Sequence, residues 1–197
     1  MAETSEPVRA FVAVKLPPEL LADVQKLQQR LESRLKTTAV RWTKAEQLHL
    51  TLWFLGNVPA ERLQDLEAAL QQACAGTPPL TLRLEGLGCF PTFKRPNVVW
   101  LGVTGDVDAL KALAQRVSQE TKKFGEHDEK RAFKAHLTIA RLRDAPFREL
   151  ERVGGVIEGT QIEPLGQWTA TQVELIRSQL SPKGATYTPL AAAKLCS

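Results

Sequence analysis

The chain has 197 residues, of which 43% are hydrophobic; this is enough for one packed core and short for two independent domains. Its 26 Lys and Arg residues exceed its 22 Asp and Glu residues, and their scattered positions favour an anionic partner over a dedicated nucleic-acid-binding arm. Three cysteines without metal-binding or redox spacing, and no apolar run of membrane-spanning length, lead us to expect a cytoplasmic protein with reduced thiols and no membrane contact.

Hydrophobic patterns and turn residues predict strands and helices in regular succession. Arg9–Leu16 is a predicted strand that Pro17 ends, and apolar residues at helical spacing predict a helix over about 18–36. Segment 40–46 is interpreted as irregular or short extended structure before a strand that begins at His49. The middle of the chain is predicted to form a helix from Pro59 to about 75, a strand at 80–87, a loop at 88–97 and a strand at 98–103. A helix from 107 to about 124, a charged loop at 126–131 and a strand that begins at His136 are predicted to follow. The last predicted elements are a short helix after Pro146 with a break at Gly154-Gly155, and two strands at about 169–179 and 186–190 joined by a hairpin turn at 181–184.

Two of the predicted strands carry the same motif. His49-Leu50-Thr51-Leu52 returns as His136-Leu137-Thr138-Ile139, and alternate side chains of a strand point to the same face. Each histidine is therefore expected beside its threonine. An imidazole that exchanges a proton near pH 7, next to a hydroxyl donor, is half of an acid–base site for an oxyanion. One such histidine alone would favour a structural role, but the pairing leads us to interpret both as catalytic and both threonines as phosphate-binding.

The two motifs belong to an internal repeat. The histidines at 49 and 136 are 87 positions apart, and the same displacement carries strand residues 11–14 onto 98–101 and Pro59 onto Pro146. We therefore expect an α+β fold: a single bilobal domain whose two lobes, related by pseudo-two-fold symmetry, each have an antiparallel sheet covered by helices, with an active-site groove between them. The expected lobes span about 8–90 and 97–165, followed by a C-terminal hairpin over about 168–192.

Two other charged or titratable residues stand near the second motif. Arg141 ends the motif and suits a phosphate, but its odd offset from His136 places it on the opposite face of a regular strand. Its assignment as a phosphate-binding residue or as a surface charge stays open. His127 lies in a polar loop and is interpreted as a solvated residue.

Aromatic residues near the first motif are candidates for contact with a base. Trp53 shares the face of His49, and Phe11 lies on the neighbouring strand. Both fit base stacking, and ordinary packing fits them equally well. Phe54, at the alternate parity, is expected to face the core.

These motifs resemble those of the 2H phosphoesterase superfamily, which is named for two His-x-Thr-x motifs. The closer resemblance is to the bacterial LigT-type RNA 2′,3′-cyclic phosphodiesterases, and it runs nearly end to end. The segments that carry it are Arg9-Ala10-Phe11-Val12-Ala13, Leu16-Pro17, His49-Leu50-Thr51-Leu52, Phe54-Leu55-Gly56, Val99-Trp100-Leu101-Gly102, His136-Leu137-Thr138-Ile139-Ala140-Arg141, and Ser178-x-Leu180-Ser181-Pro182-x-Gly184-x-x-Tyr187.

The resemblance implies a hydrolase that opens RNA 2′,3′-cyclic phosphate ends to 2′-phosphate ends without a metal or other cofactor. It implies that His49 is the proton donor to the leaving O3′ and His136 the proton acceptor from water; the residues alone leave the two roles unassigned. The implied partners are RNA or nucleotides with 2′,3′-cyclic phosphate ends, with no obligate protein partner. Two alternatives are reversible 2′-5′ ligation of such ends to 5′-hydroxyl ends, as in tRNA halves, and a non-catalytic module that binds phosphonucleotides or RNA ends.

Overall fold

The computed structural model describes residues 6–126, 132–182 and 184–196. His127 and most of the expected loop at 126–131, together with Lys183 of the expected hairpin turn, lie outside the described residues. Among the described residues, no helix is both long enough and apolar enough to cross a membrane. The regular elements in these ranges are β1 (Val8–Lys15), α1 (Pro18–Leu35), β2 (Val40–Trp42), β3 (His49–Val58), α2 (Leu63–Cys74), β4 (Leu80–Thr92), β5 (Arg95–Gly105), α3 (Val107–Thr121), β6 (His136–Leu142), α4 (Phe147–Glu158), β7 (Gly166–Ala170), β8 (Gln172–Ser181) and β9 (Gly184–Lys194).

Two antiparallel sheets, with helices packed on them, form the molecule. The first sheet has the strand order β3-β1-β8-β9, and the second has the order β2-β6-β5-β4-β7. Helices α2 and α3 contact each other and the first sheet, whereas α4 contacts α1 and strands β4 and β5 of the second sheet. The expected α+β class, with antiparallel sheets covered by helices in a single domain, is confirmed.

Strand register reproduces the internal repeat. β1 pairs with β3 and β5 pairs with β6, both antiparallel, and a displacement of 87 residues converts one set of partners into the other. Each pair contains a β-bulge at the same place, where Leu52 of β3 and Ile139 of β6 have no partner of their own. The Phe11–Phe54 pair corresponds to Val98–Arg141, the Ala13–Thr51 pair to Trp100–Thr138, and the Lys15–His49 pair to Gly102–His136.

The loop expected at 88–97 is instead the end of a β-hairpin, because β4 runs to Thr92 and β5 begins at Arg95. Gly88 serves packing in this hairpin: a Cβ on it would lie 2.1 Å from the Trp100 ring on the neighbouring strand. Pro91 sits where the ladder between β4 and β5 becomes irregular. Glycine and proline therefore mark close packing and a bulge here.

The break expected at Gly154-Gly155 is also wrong, since α4 continues through both residues to Glu158. A Cβ on Gly154 would lie 1.6 Å from the carbonyl oxygen of Phe93. The glycine lets the helix approach the turn between β4 and β5.

The sheets do not follow the expected lobe boundaries. β2 and β4 come from segment 8–90 but pair with strands of the second sheet, and the β8–β9 hairpin joins the first sheet beside β1. The strand expected over 169–179 is two strands, β7 and β8, which belong to different sheets. The second sheet thus combines strands from both expected lobes, whereas the first sheet combines strands of the first lobe with the C-terminal hairpin.

Candidate active site

A groove with a cavity of about 650 Å³ lies where β3 and β6 meet, one strand from each sheet. The structure brings both His-Thr pairs to this cavity, together with Arg141 near the end of β6. Its other polar lining includes Arg9, Arg41, Gln47, Ser178 and Tyr187. Two proton-exchanging rings, hydroxyl donors and guanidinium groups therefore share one concave surface.

Strand alternation points the four motif side chains into the groove. Leu50 and Leu137, which separate each histidine from its threonine, are fully buried in the core. The histidines and threonines on the opposite parity are only partly buried. Burial of the leucines fixes the strand faces, because a slip of one residue would expose them and bury the polar groups.

The β-bulges change the faces of the residues that follow them. In β6, Ile139 and Ala140 are both buried, so Arg141 turns to the same groove as His136. The alternative of a surface charge on the opposite face, which a regular strand would give, is thereby resolved in favour of the groove. In β3, the equivalent bulge turns Phe54 outward, where it is 44% exposed and lines the groove; the expectation that it faces the core was wrong.

The Phe11 ring is buried against His49 and does not form an exposed surface for stacking. It is 2% exposed, and its ring stacks on His49 with centroids 4.6 Å apart and an interplanar angle of 29°. Tyr187 meets both rings edge-on, 5.1 Å from His49 and 5.0 Å from Phe11. Of the two interpretations left open for Phe11, base stacking or packing, its burial against His49 favours packing.

Tyr187 had no role in the sequence-based site, although the segment that contains it contributed to the family resemblance. It reaches His49 because β9 pairs with β8, which lies next to β1. That proximity is a product of sheet order and has no signal in local spacing.

Trp53 is partly buried, packs against the core and borders a second cavity. This cavity, of about 560 Å³, adjoins the first through a shared wall that includes Thr51, His136, Thr138 and Arg141. Its remaining walls include the aromatic rings of Trp53, Phe90 and Phe133, and Lys134 lies near the rings of Phe90 and Trp100. A group bound at the shared wall is thus accessible from two sides.

Each histidine hydrogen-bonds to the backbone two residues before it. Nδ1 of His136 lies 2.6 Å from the carbonyl oxygen of Lys134, and His49 has a corresponding bond with the backbone of Gln47. A carbonyl oxygen only accepts, so the proton of neutral His136 is on Nδ1, and Nε2 carries the lone pair. In His136 this contact fixes the ring so that Nε2 is available for proton exchange.

Burial lowers the pKa of both histidines. Desolvation is the main cause of a His49 pKa of about 4, opposed by the bond to Gln47 and reinforced by the positive charge of Arg141. Desolvation also lowers the pKa of His136, opposed by the bond to Lys134, with the charges of Lys134 and Arg141 as smaller causes. Both rings are therefore neutral at pH 7 in the free protein, and a bound anion would raise both pKa values.

Within the described ranges, no group of three or more His, Cys, Asp or Glu side chains is arranged to hold a metal ion. Cys74 and Cys89 are buried free thiols whose pKa values desolvation raises to about 11 and about 12. Their thiols are protonated at neutral pH and do not line the groove.

The fold and the paired motifs define a class, the phosphoesterases with two His-x-Thr-x motifs. The family model described as LigT like Phosphoesterase matches residues 14–100. Over 183 residues the chain is 33% identical to the RNA 2′,3′-cyclic phosphodiesterase of Archaeoglobus fulgidus, covering 93% of this chain and 98% of the relative. The protein of the same name from Methanothermobacter thermautotrophicus is 32% identical, with 93% and 96% covered.

Solved structures agree with these sequence relatives. E. coli LigT in its apo form is 28% identical, covers 98% of this chain and 100% of its own, and superposes with a TM-score of 0.74. A complex of E. coli LigT with 3′-AMP has the same TM-score and coverage at 29% identity. The chain belongs to the LigT-like phosphoesterase family of the 2H phosphoesterase superfamily.

Proposed function

We propose that this protein is an RNA 2′,3′-cyclic phosphodiesterase that hydrolyses 2′,3′-cyclic phosphate ends to 2′-phosphate ends. The observation that carries the proposal is the meeting of two His-Thr pairs, one from each sheet, in one cavity with Arg141. The names and coverage of its relatives support the same reaction.

Opening the ring requires a proton acceptor for water and a proton donor for the leaving oxygen on opposite sides of the phosphorus. We assign these roles to His136 and His49, following the family resemblance. Water attacks the phosphorus, its proton passes to Nε2 of His136, the bond from phosphorus to O3′ breaks, and His49 protonates O3′. The hydrogen bond of His136 Nδ1 with the Lys134 carbonyl leaves the lone pair of the neutral ring on Nε2, as a proton acceptor requires.

Negative charge grows on the non-bridging oxygens during this attack. Thr51 and Thr138 donate hydroxyl hydrogen bonds to them, and the Arg141 guanidinium supplies the positive charge. The negative charge of the bound phosphate also favours the protonated form of His49 that a proton donor requires. A free-protein pKa of about 4 leaves His49 neutral at pH 7, and the phosphate charge favours its imidazolium form.

The decisive experiment gives the purified protein an oligoribonucleotide with a 2′,3′-cyclic phosphate end in buffer with EDTA and resolves the products. We expect a 2′-phosphate end and undiminished turnover in EDTA, since the proposed donors and acceptors are all side chains. The His49→Ala protein is the control for contaminating nuclease. A 3′-phosphate product, or complete dependence on a divalent ion, would contradict the proposal.

Reversible 2′-5′ ligation is a second candidate, and one observation favours it. The aromatic cavity on the His136 side is about 560 Å³, far larger than one attacking water requires, and it fits a nucleoside with a 5′-hydroxyl. Supplying cyclic-phosphate and 5′-hydroxyl ends together, with product detection by nuclease-resistant 2′-5′ linkage, distinguishes ligation from hydrolysis. Turnover by either route excludes a module that only binds.

A further inference from the structure

A buried amide from helix α1 covers the bulge at Ile139. Gln28 is 7% exposed, and its Nε2 donates hydrogen bonds to the carbonyl oxygens of Thr43 and Ile139, each at 2.8 Å. The Ile139 carbonyl also accepts the backbone N–H of Thr43 at 2.9 Å. One side chain therefore ties α1 both to the bulge of β6 and to the segment that follows β2.

The direction of Arg141 depends on that bulge. Without the extra residue, Arg141 would have the parity of Leu137 and point into the core side of the sheet. With it, Ile139 and Ala140 are both buried, and Arg141 lines the groove beside His136. A group that holds the Ile139 carbonyl in place consequently acts on the guanidinium two residues away.

The other half of the repeat lacks this amide. The buried positions of α1 and α3 match at a displacement of 86 residues, and at this displacement Ala114 of α3 is the equivalent of Gln28 of α1. Helix α3 contacts β3, whose own bulge presents Phe54. The buried donor is thus present in the half whose bulge presents a charged side chain and absent in the half that presents an aromatic ring. The other matching pairs are Val24 with Leu110, Leu27 with Leu113, Leu31 with Val117, and Leu35 with Thr121.

We propose that Gln28 is a positioning residue of the groove: its amide fixes the Ile139 bulge and so holds the Arg141 guanidinium in the groove that the two histidines line. The kinetic part of this inference rests on the proposed function, whereas its effect on the free protein does not. A purely structural Gln28 would change stability and leave the groove as it is, so the test must measure the groove itself.

The first measurement is the pKa of His49 and His136 by NMR in the free protein. The positive charge of Arg141 acts on both rings and on Tyr187, so Arg141→Gln should raise both histidine pKa values. Gln28→Met, which keeps the volume but removes the donors, should raise them in the same direction. The matched control is Gln29→Met on the exposed neighbouring position of α1, which should leave both pKa values unchanged.

The second measurement is kcat/KM on a 2′,3′-cyclic mononucleotide. Gln28→Met should lower it about ten-fold relative to Gln29→Met, because misplacement of a binding group by ~1 Å is enough to cost up to about 100-fold. The double variant with Arg141→Gln should be within about two-fold of Arg141→Gln alone, since both changes remove one effect.

The outcomes separate the two proposals. Unchanged histidine pKa values and unchanged kcat/KM in a folded Gln28→Met protein would overturn the positioning role, as would fully multiplicative losses in the double variant. If the protein lacks cyclic phosphodiesterase activity but Gln28→Met still shifts both pKa values, the positioning role stands and the proposed function fails. If Gln28→Met does not fold, Gln28→Asn replaces it, because the shorter amide cannot span both carbonyl oxygens.

Discussion

The neutral, desolvated state of His49 makes folding stability depend on pH in a defined window. Its pKa is about 4 in the folded protein against an ordinary value of 6.5, so between these values the unfolded chain binds the proton that the folded protein excludes. Stability should therefore be greatest above pH 6.5 and decline as the pH falls toward 4. At about 1.36 kcal/mol per pKa unit, the difference between 6.5 and about 4 corresponds to about 3 kcal/mol.

The perturbation that isolates this contribution is His49→Asn. Asparagine does not titrate, and its side-chain amide offers a donor that can replace the ring in the hydrogen bond with the Gln47 backbone. Urea unfolding of the parent and the variant at pH 7, 6, 5 and 4.5 gives the free energy of unfolding at each pH. From pH 7 to 4.5, the free energy of unfolding should fall further in the parent than in the variant, by most of ~3 kcal/mol. That difference is a large fraction of the total free energy of unfolding of a typical protein, about 5–15 kcal/mol.

Parallel losses in the parent and His49→Asn between pH 7 and 4.5 would refute the reasoning, because they would mean that folding does not desolvate His49. The same result would remove the need for the substrate anion to restore a proton to the acid.

Three further predictions concern turnover of a 2′,3′-cyclic nucleotide. His49→Ala and His136→Ala should each lower kcat by about 10²–10⁴-fold with a native circular-dichroism spectrum, and the double variant should be little worse; near-normal kcat in either single variant would make that histidine structural. Thr51→Val and Thr138→Val should each lower kcat/KM roughly ten- to a hundred-fold, for a lost hydrogen bond to an anion of about 1.5–3 kcal/mol; unchanged efficiency in both would show that the hydroxyls do not hold the phosphate. Since both histidine pKa values lie below 6.5 in the free protein, kcat/KM should peak on the acid side of that pH and fall as the pH rises, whereas an optimum above about pH 7.5 would contradict the pKa directions.

The sequence predicted the repeat correctly because strand patterns and motif positions are local signals. The displacement of 87 residues, read from two histidines and a proline, describes the register of β1 with β3 and of β5 with β6 residue by residue. The repeat also predicts that both His-Thr pairs face one groove, because one motif in each half places the two motifs at equivalent positions around an axis.

The errors arose where glycine and proline serve packing. Gly88 makes room for Trp100, and Gly154 lets α4 approach Phe93; in both places a residue type that favours turns lies within a regular element. Close approach between distant segments has no signature in the residues on either side, so the loop at 88–97 and the break in α4 were predicted incorrectly.

The α+β class, the repeat and the two His-Thr pairs could be predicted from the sequence, because alternation with the apolar Leu50 and Leu137 indicates which side chains face outward. The entry of Arg141 and Phe54 into the groove, and the packing of Phe11 and Tyr187 around His49, depend on contacts between distant segments. A bulge changes the parity of every later residue in its strand, and it is held by partners from other elements, here Thr43 and Gln28 at Ile139. The pKa of each histidine likewise follows from burial by segments distant in the chain, which no local spacing encodes.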